Sequence, residues 1–144
     1  MKALVTLALV LMLMLTSSVG RTDEPISICK FVAPKYSAIA RRAWLSGEVI
    51  LKVGVAADGT VNKVDTISGN PILARSATDA VKGWRYCASS ASANYEVAVT
   101  FRFKLQGPGT DNWAPTDVVL ESPASVEVTT NPPAPLEGDF IKKK

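Results

Sequence analysis

The chain has 144 residues, of which 47% are apolar, 20% charged and 7% aromatic, with nine Gly, nine Pro, two Cys, no His and a formal net charge of +3. That length fits one domain with a moderate core, and the apolar fraction is too high for a wholly disordered chain. Without His there is no Ser-His or Cys-His dyad, no imidazole base and no His-ligated zinc, and two Cys cannot build a four-thiolate site, so composition disfavours a hydrolase or metalloenzyme and no cofactor is expected.

Lys2 is followed by thirteen uncharged residues, Ala3 to Leu15, and then by the short side chains of Thr16 to Gly20. This is the pattern of a signal peptide over residues 1–20, with the mature chain starting near Arg21. An uncleaved anchor is the alternative, because the apolar stretch to Val19 has 17 residues, at the short edge of a bilayer span. Either way the folded part is exported, which removes nucleic acid as a partner. Export also places Cys29 and Cys87 in an oxidising compartment, and an even pair there predicts a disulfide.

From Lys35 to Trp44 the apolar or small residues Tyr36, Ile39, Ala40, Ala43 and Trp44 fall on one stripe of a helix that Pro34 opens and Gly47 ends. From Glu48 the period changes to two. Val49, Leu51, Val53 and Val55 face one side of a strand, and Asp58-Gly59 marks a hairpin before a return strand over about Thr60 to Ile67, with Asn62-Lys63 marking a bulge. Asn70 and Pro71 then supply an N-cap and first position for a second helix with the stripe Leu73, Ala77, Ala80, Val81 and Trp84. Both Trp44 and Trp84 are expected in the core.

The clearest strand comes last: Tyr95, Val97, Val99, Phe101, Phe103 and Leu105 alternate with Glu96, Ala98, Thr100, Arg102 and Lys104. The expected fold is therefore α+β, a three-stranded antiparallel sheet with two helices on one face, in the order α-β-β-α-β over residues 29–105. No two of Asp58, Asp65 and Asp79 are placed as an acid/base pair, Asp58 reads as a turn residue, and neither Ser68-Gly69 nor Ser89-Ser90 has a base, so a small enzyme is the weaker reading beside a binding or structural protein.

Charge divides the chain. Cys29 to Leu105 carries +6, whereas Gln106 to Lys144 carries −3 and holds six of the nine Pro, which reads as a disordered acidic tail. Two β-prone stretches interrupt that tail, Asp117-Val118-Val119-Leu120-Glu121 and Ser125-Val126-Glu127-Val128-Thr129. The basic domain reads as an ordinary solvated surface or, more sharply, as a face that attracts acidic peptides or lipid headgroups.

These residues resemble the C-terminal domain of the TonB energy transducers. The resemblance is carried by Pro34, Tyr36, Ala40 and Gly47, by Glu48-Val49, by Asp58-Gly59-Thr60-Val61, and by Ser68-Gly69-Asn70-Pro71 before Leu73, Ala77 and Ala80-Val81. Trp84-Arg85-Tyr86 and then Val99, Phe101, Phe103 and Leu105 complete it, over about half the chain. Ser37 and Cys87 stand where the family often has Pro. The resemblance implies a periplasmic protein-binding domain linked to transport across the outer membrane, with TonB-dependent outer-membrane receptors or a full-length transducer as partners. An inner-membrane anchor facing the periplasm is the alternative placement.

Recognition would use β-augmentation, with backbone hydrogen bonds from an open strand edge. The edge expected to pair is the last strand, Tyr95, Glu96, Val97, Ala98, Val99, Thr100, Phe101, Arg102, Phe103 and Lys104, with a receptor peptide or with a second copy in a homodimer. The family's membrane helix and Pro-rich spacer have no counterpart here, so a free-standing relative is expected. Asp117 to Glu121 is similar to the short acidic-apolar boxes of the receptors. One tail stretch folding back as an internal ligand is therefore weighed against a plain solvated tail.

Overall fold

The computed structural model describes residues 26–87, 93–112 and 115–135. The signal segment, Ser89-Ser90 and the last nine residues lie outside them. Strand β1 (Ile28–Lys30) is followed by helix α1 (Ala38–Arg42), β2 (Gly47–Val55), β3 (Val61–Ser68), helix α2 (Pro71–Val81), β4 (Arg85–Tyr86), β5 (Tyr95–Leu105), β6 (Asp117–Ser122) and β7 (Ser125–Thr130).

The main sheet has five strands in the order β3-β2-β5-β7-β6 and is mixed, which corrects the expected three-stranded antiparallel sheet. β2 pairs antiparallel with β3 and, from Gly47↔Phe103 to Val55↔Tyr95, with β5. Between Lys63↔Gly54 and Val61↔Val55 the extra residue is Asn62, the bulge that broken alternation announced. At the hairpin, Gly59 has φ +88° and any Cβ there would lie 2.0 Å from the Tyr86 carbonyl oxygen, so only glycine fits. Asp58 accepts from Thr60 N at 3.0 Å and from Thr60 Oγ1 at 2.6 Å, and these bonds hold its carboxyl below the usual range.

Both helices cover one face. Asn70 caps α2 by accepting from Ile72 N at 2.9 Å, Pro71 takes the first turn, and Leu73, Ala74, Ala77, Ala80 and Val81 are buried. Helix α1 is shorter than its stripe suggested, because Ser37 caps it by accepting from Ala40 N at 3.1 Å. It ends before Gly47. Trp44 N donates to Arg41 O and Leu45 N to Ala40 O, a Schellman closure that puts Trp44 itself at φ 53°. Its side chain is consequently 56% exposed, which corrects the expectation of a core tryptophan. Trp84 is buried as expected, its Nε1 donating to Val32 O at 2.8 Å and its ring 5.7 Å from Phe101.

A separate two-stranded ladder joins β1 to β4, and beside it Cys29 and Cys87 form a disulfide, their Cα atoms 4.9 Å apart. The core between sheet and helices is built from Val49, Leu51, Val53 and Val55 of β2, Val97, Val99, Phe101 and Phe103 of β5, and Val126 and Val128 of β7. The last pair lies in the segment read as disordered. Residues 117–130 are instead two strands of the same sheet.

Candidate partner-binding edge

Strand β5 reaches 11 residues because strict alternation lets its apolar side chains enter the core while Glu96, Ala98, Thr100, Arg102 and Lys104 stand on the open face. The sequence reading left one edge of this strand free. The structure does not: β2 occupies one side and β7 the other, so β5 is an interior strand. β7 runs parallel to it in six registered pairs, Thr100↔Ser125 through Leu105↔Thr130, with Thr100 N donating to Ala124 O at 2.8 Å and Gln106 N to Thr130 O at 2.9 Å.

The fit of β7 follows from its own pattern. Val126 and Val128 turn into the core and are fully buried, while Ser125, Glu127 and Thr129 share the open face. β6 then closes a hairpin on β7 and forms the outermost strand, with Val119 and Leu120 exposed.

The basic side chains of β5 already have acidic partners. Lys104 Nζ lies 2.7 Å from Glu127 of β7, and Arg102 lies 3.2 Å from Glu121 of β6 and 3.8 Å from Glu48 of β2. Ser125 Oγ donates to the same Glu121 at 2.8 Å, and Glu96 pairs with Lys52 at 3.0 Å. Each is a solvent-facing pair that contributes at most about 1 kcal/mol, so together they select an acidic strand more than they hold it. Tyr95 is half-buried, its ring edge-on to Tyr86.

Sequence reasoning missed Arg41 of helix α1. Its Nε donates to Asn131 O at 2.7 Å, and its Nη2 donates to Thr110 O and to Pro132 O, the last at 3.3 Å. One guanidinium thus ties α1 to the chain both before and after the β6–β7 hairpin, which no local pattern could have announced. Next to it, Pro34, Tyr36, Arg42, Pro115 and Pro133 help to line a cleft of about 870 Å³. Among the described residues no group of three or more His, Cys, Asp or Glu is placed to hold a metal.

Residues 32–105 match the family model for the Gram-negative bacterial TonB protein C-terminal. A Vibrio cholerae protein named TonB is 29% identical over 98 residues, covering 65% of this chain and 40% of that protein. A TonB protein of Xanthomonas campestris pv. campestris is 44% identical over 78 residues, covering 53% of this chain and 34% of that protein. The chain therefore spans two fifths or less of the length of these curated relatives. The solution NMR structure of the Pseudomonas aeruginosa TonB CTD matches with a TM-score of 0.49 at 18% identity, covering 60% of this chain and 93% of that one.

Proposed function

We propose, since the chain belongs to the Gram-negative bacterial TonB protein C-terminal family, that it is a non-enzymatic periplasmic domain that binds other proteins in TonB-dependent transport. Its partner is an extended segment of an outer-membrane receptor or of a full-length transducer. That segment joins the sheet along β5, Tyr95 to Lys104, where backbone groups supply affinity and Thr100, Arg102 and Lys104 supply selectivity.

The observation that carries this reading is the pairing of β5 with β7, an acidic extended segment that follows Pro123 and precedes Pro132 in the chain. A strand edge that accepts such a segment in register from its own chain has the geometry and the charge to accept one from a partner. A second reading has the same edge in its favour. With β7 in place, β5 has no free side, which suits a structural periplasmic interaction protein unconnected with receptors.

Site-specific photo-crosslinking separates the two. A crosslinker at Ala98, exposed on the open face of β5, is irradiated in periplasm, and mass spectrometry identifies the adducts. Receptor or transducer peptides are expected. Adducts confined to other periplasmic proteins would contradict the receptor reading.

A further inference from the structure

Resting on the proposed pairing role of β5, we infer that the β6–β7 hairpin is an internal ligand of that strand and opens as a unit to admit an acidic partner strand, with Arg41 as its latch.

Three features of the hairpin set it apart from the rest of the sheet. It is held by pairing of unequal strength: β5 makes nine antiparallel pairs with β2 but six parallel ones with β7, and parallel pairing is weaker per residue. It also buries little, since every residue of β6 except Val118 is exposed and β7 commits Val126, Val128 and Thr130 to the interior. Elements with few buried side chains and solvent-facing ladders belong to the part of a protein that opens below the global unfolding free energy.

The third feature is the latch. The hairpin begins and ends beside Arg41, which donates to Thr110 O on the way in and to Asn131 O and Pro132 O on the way out. These bonds concentrate the tie between α1 and the hairpin in one charged group. Losing it releases both ends together.

The hairpin also specifies what replaces it. Lys104 faces Glu127 of β7 and Arg102 reaches past β7 to Glu121 of β6, while two small β-branched side chains, Val126 and Val128, fill the core side. The incoming strand is therefore acidic on one face and carries valine-sized residues on the other, at alternate positions. A basic strand would set like charge against Lys104 and Arg102, leaving Arg102 only Glu48 of β2.

Three variants of the full chain test the inference. Arg41→Ala removes the latch, and Thr100→Cys with Ser125→Cys, oxidised, ties β7 to β5 at a registered pair. In native-state hydrogen exchange the amides of residues 125–130 should exchange at least tenfold faster in Arg41→Ala than in the parent, while those of Leu51 and Val53 keep their rate. Glu127→Gln, on the open face and opposite Lys104, is the milder variant and should shift the same amides in the same direction.

A synthetic peptide spanning residues 123–133 serves as the probe in trans. It should bind Arg41→Ala at least tenfold more tightly than the oxidised double-cysteine chain. Exchange of 125–130 in step with Leu51 and Val53 in every variant would overturn the inference, as would equal peptide affinity for the open and tied chains. Local opening together with peptide binding, but without any binding of receptor segments to Arg41→Ala, would uphold the internal ligand and end the receptor reading instead.

Discussion

Arg41 Nε donates a hydrogen bond to the carbonyl oxygen of Asn131 at 2.7 Å, joining residues 90 positions apart in the chain. Through this bond and its companions at Thr110 and Pro132, a five-residue helix holds the return of a segment whose composition alone suggests disorder. Arg41→Ala leaves those carbonyls to solvent and is expected to lower stability by about 2 kcal/mol, with Arg41→Lys recovering only part because an ammonium cannot fork to the same oxygens. Urea unfolding is the check, and an unchanged midpoint for Arg41→Ala would contradict the role.

The disulfide joins Cys29 to Cys87, 58 positions apart, a closure that the chain-entropy relation values at about 4 kcal/mol. Replacing both cysteines by serine should lower the urea midpoint accordingly while the sheet persists. Mass spectrometry of protein taken from periplasm should find no alkylatable thiol before reduction. Two alkylatable thiols would contradict the pairing.

How much of this was legible follows from what each signal encodes. Alternation and helical stripes marked β2, β5 and α2, because those elements bury a face along their whole length; Asn62 even betrayed its bulge. Alternation reports which way side chains point and says nothing about which strand lies alongside, so β5 could be found without its neighbour β7. The period-two valines Val126 and Val128 were visible, but six prolines around them and a parallel, non-local partner gave composition the stronger voice. Helix α1 was overextended because its stripe continues to Trp44, whereas Ser37 and the left-handed backbone at Trp44 decide its ends. The three-residue β1 and two-residue β4 are too short to leave any period, yet their disulfide was readable from compartment and count.

Trp44 occupies the position where helices favour glycine, with φ at 53° and its ring exposed. Trp44→Gly removes a left-handed penalty of about 1–2 kcal/mol against a smaller entropic cost, so a net gain of about 0.5–1 kcal/mol is expected. A lower urea midpoint would show that the indole makes contacts that outweigh its backbone conformation.

Two buried tyrosines set the alkaline limit. Burial pushes the hydroxyls of Tyr36 and Tyr86 up to about 12, the latter helped by nearby Tyr95, from an ordinary value of 10.0. Because the folded state resists ionisation that the unfolded chain undergoes, their contribution is complete below pH 10 and is lost as pH rises from 10 towards 12. Tyr36 donates to Leu45 O, whereas the buried Tyr86 hydroxyl has no partner among the described residues. At neutral pH Tyr36→Phe should therefore cost about 1 kcal/mol and Tyr86→Phe less, while both should flatten the alkaline decline. Chemical denaturation at about pH 8, about pH 10 and about pH 11.5 reads the difference, and an unaltered alkaline slope in Tyr86→Phe would contradict the assignment.

The central claim is that a partner strand takes the place of β7 beside β5. Its most direct test is the dissociation constant, by calorimetry at low salt, of an acidic periplasmic segment of a TonB-dependent receptor for the full chain and for the oxidised Thr100→Cys, Ser125→Cys chain. The account predicts measurable binding to the first and at least a tenfold loss in the second, restored when the engineered disulfide is reduced under conditions that leave Cys29–Cys87 intact. Equal affinity for the open and tied chains would contradict it.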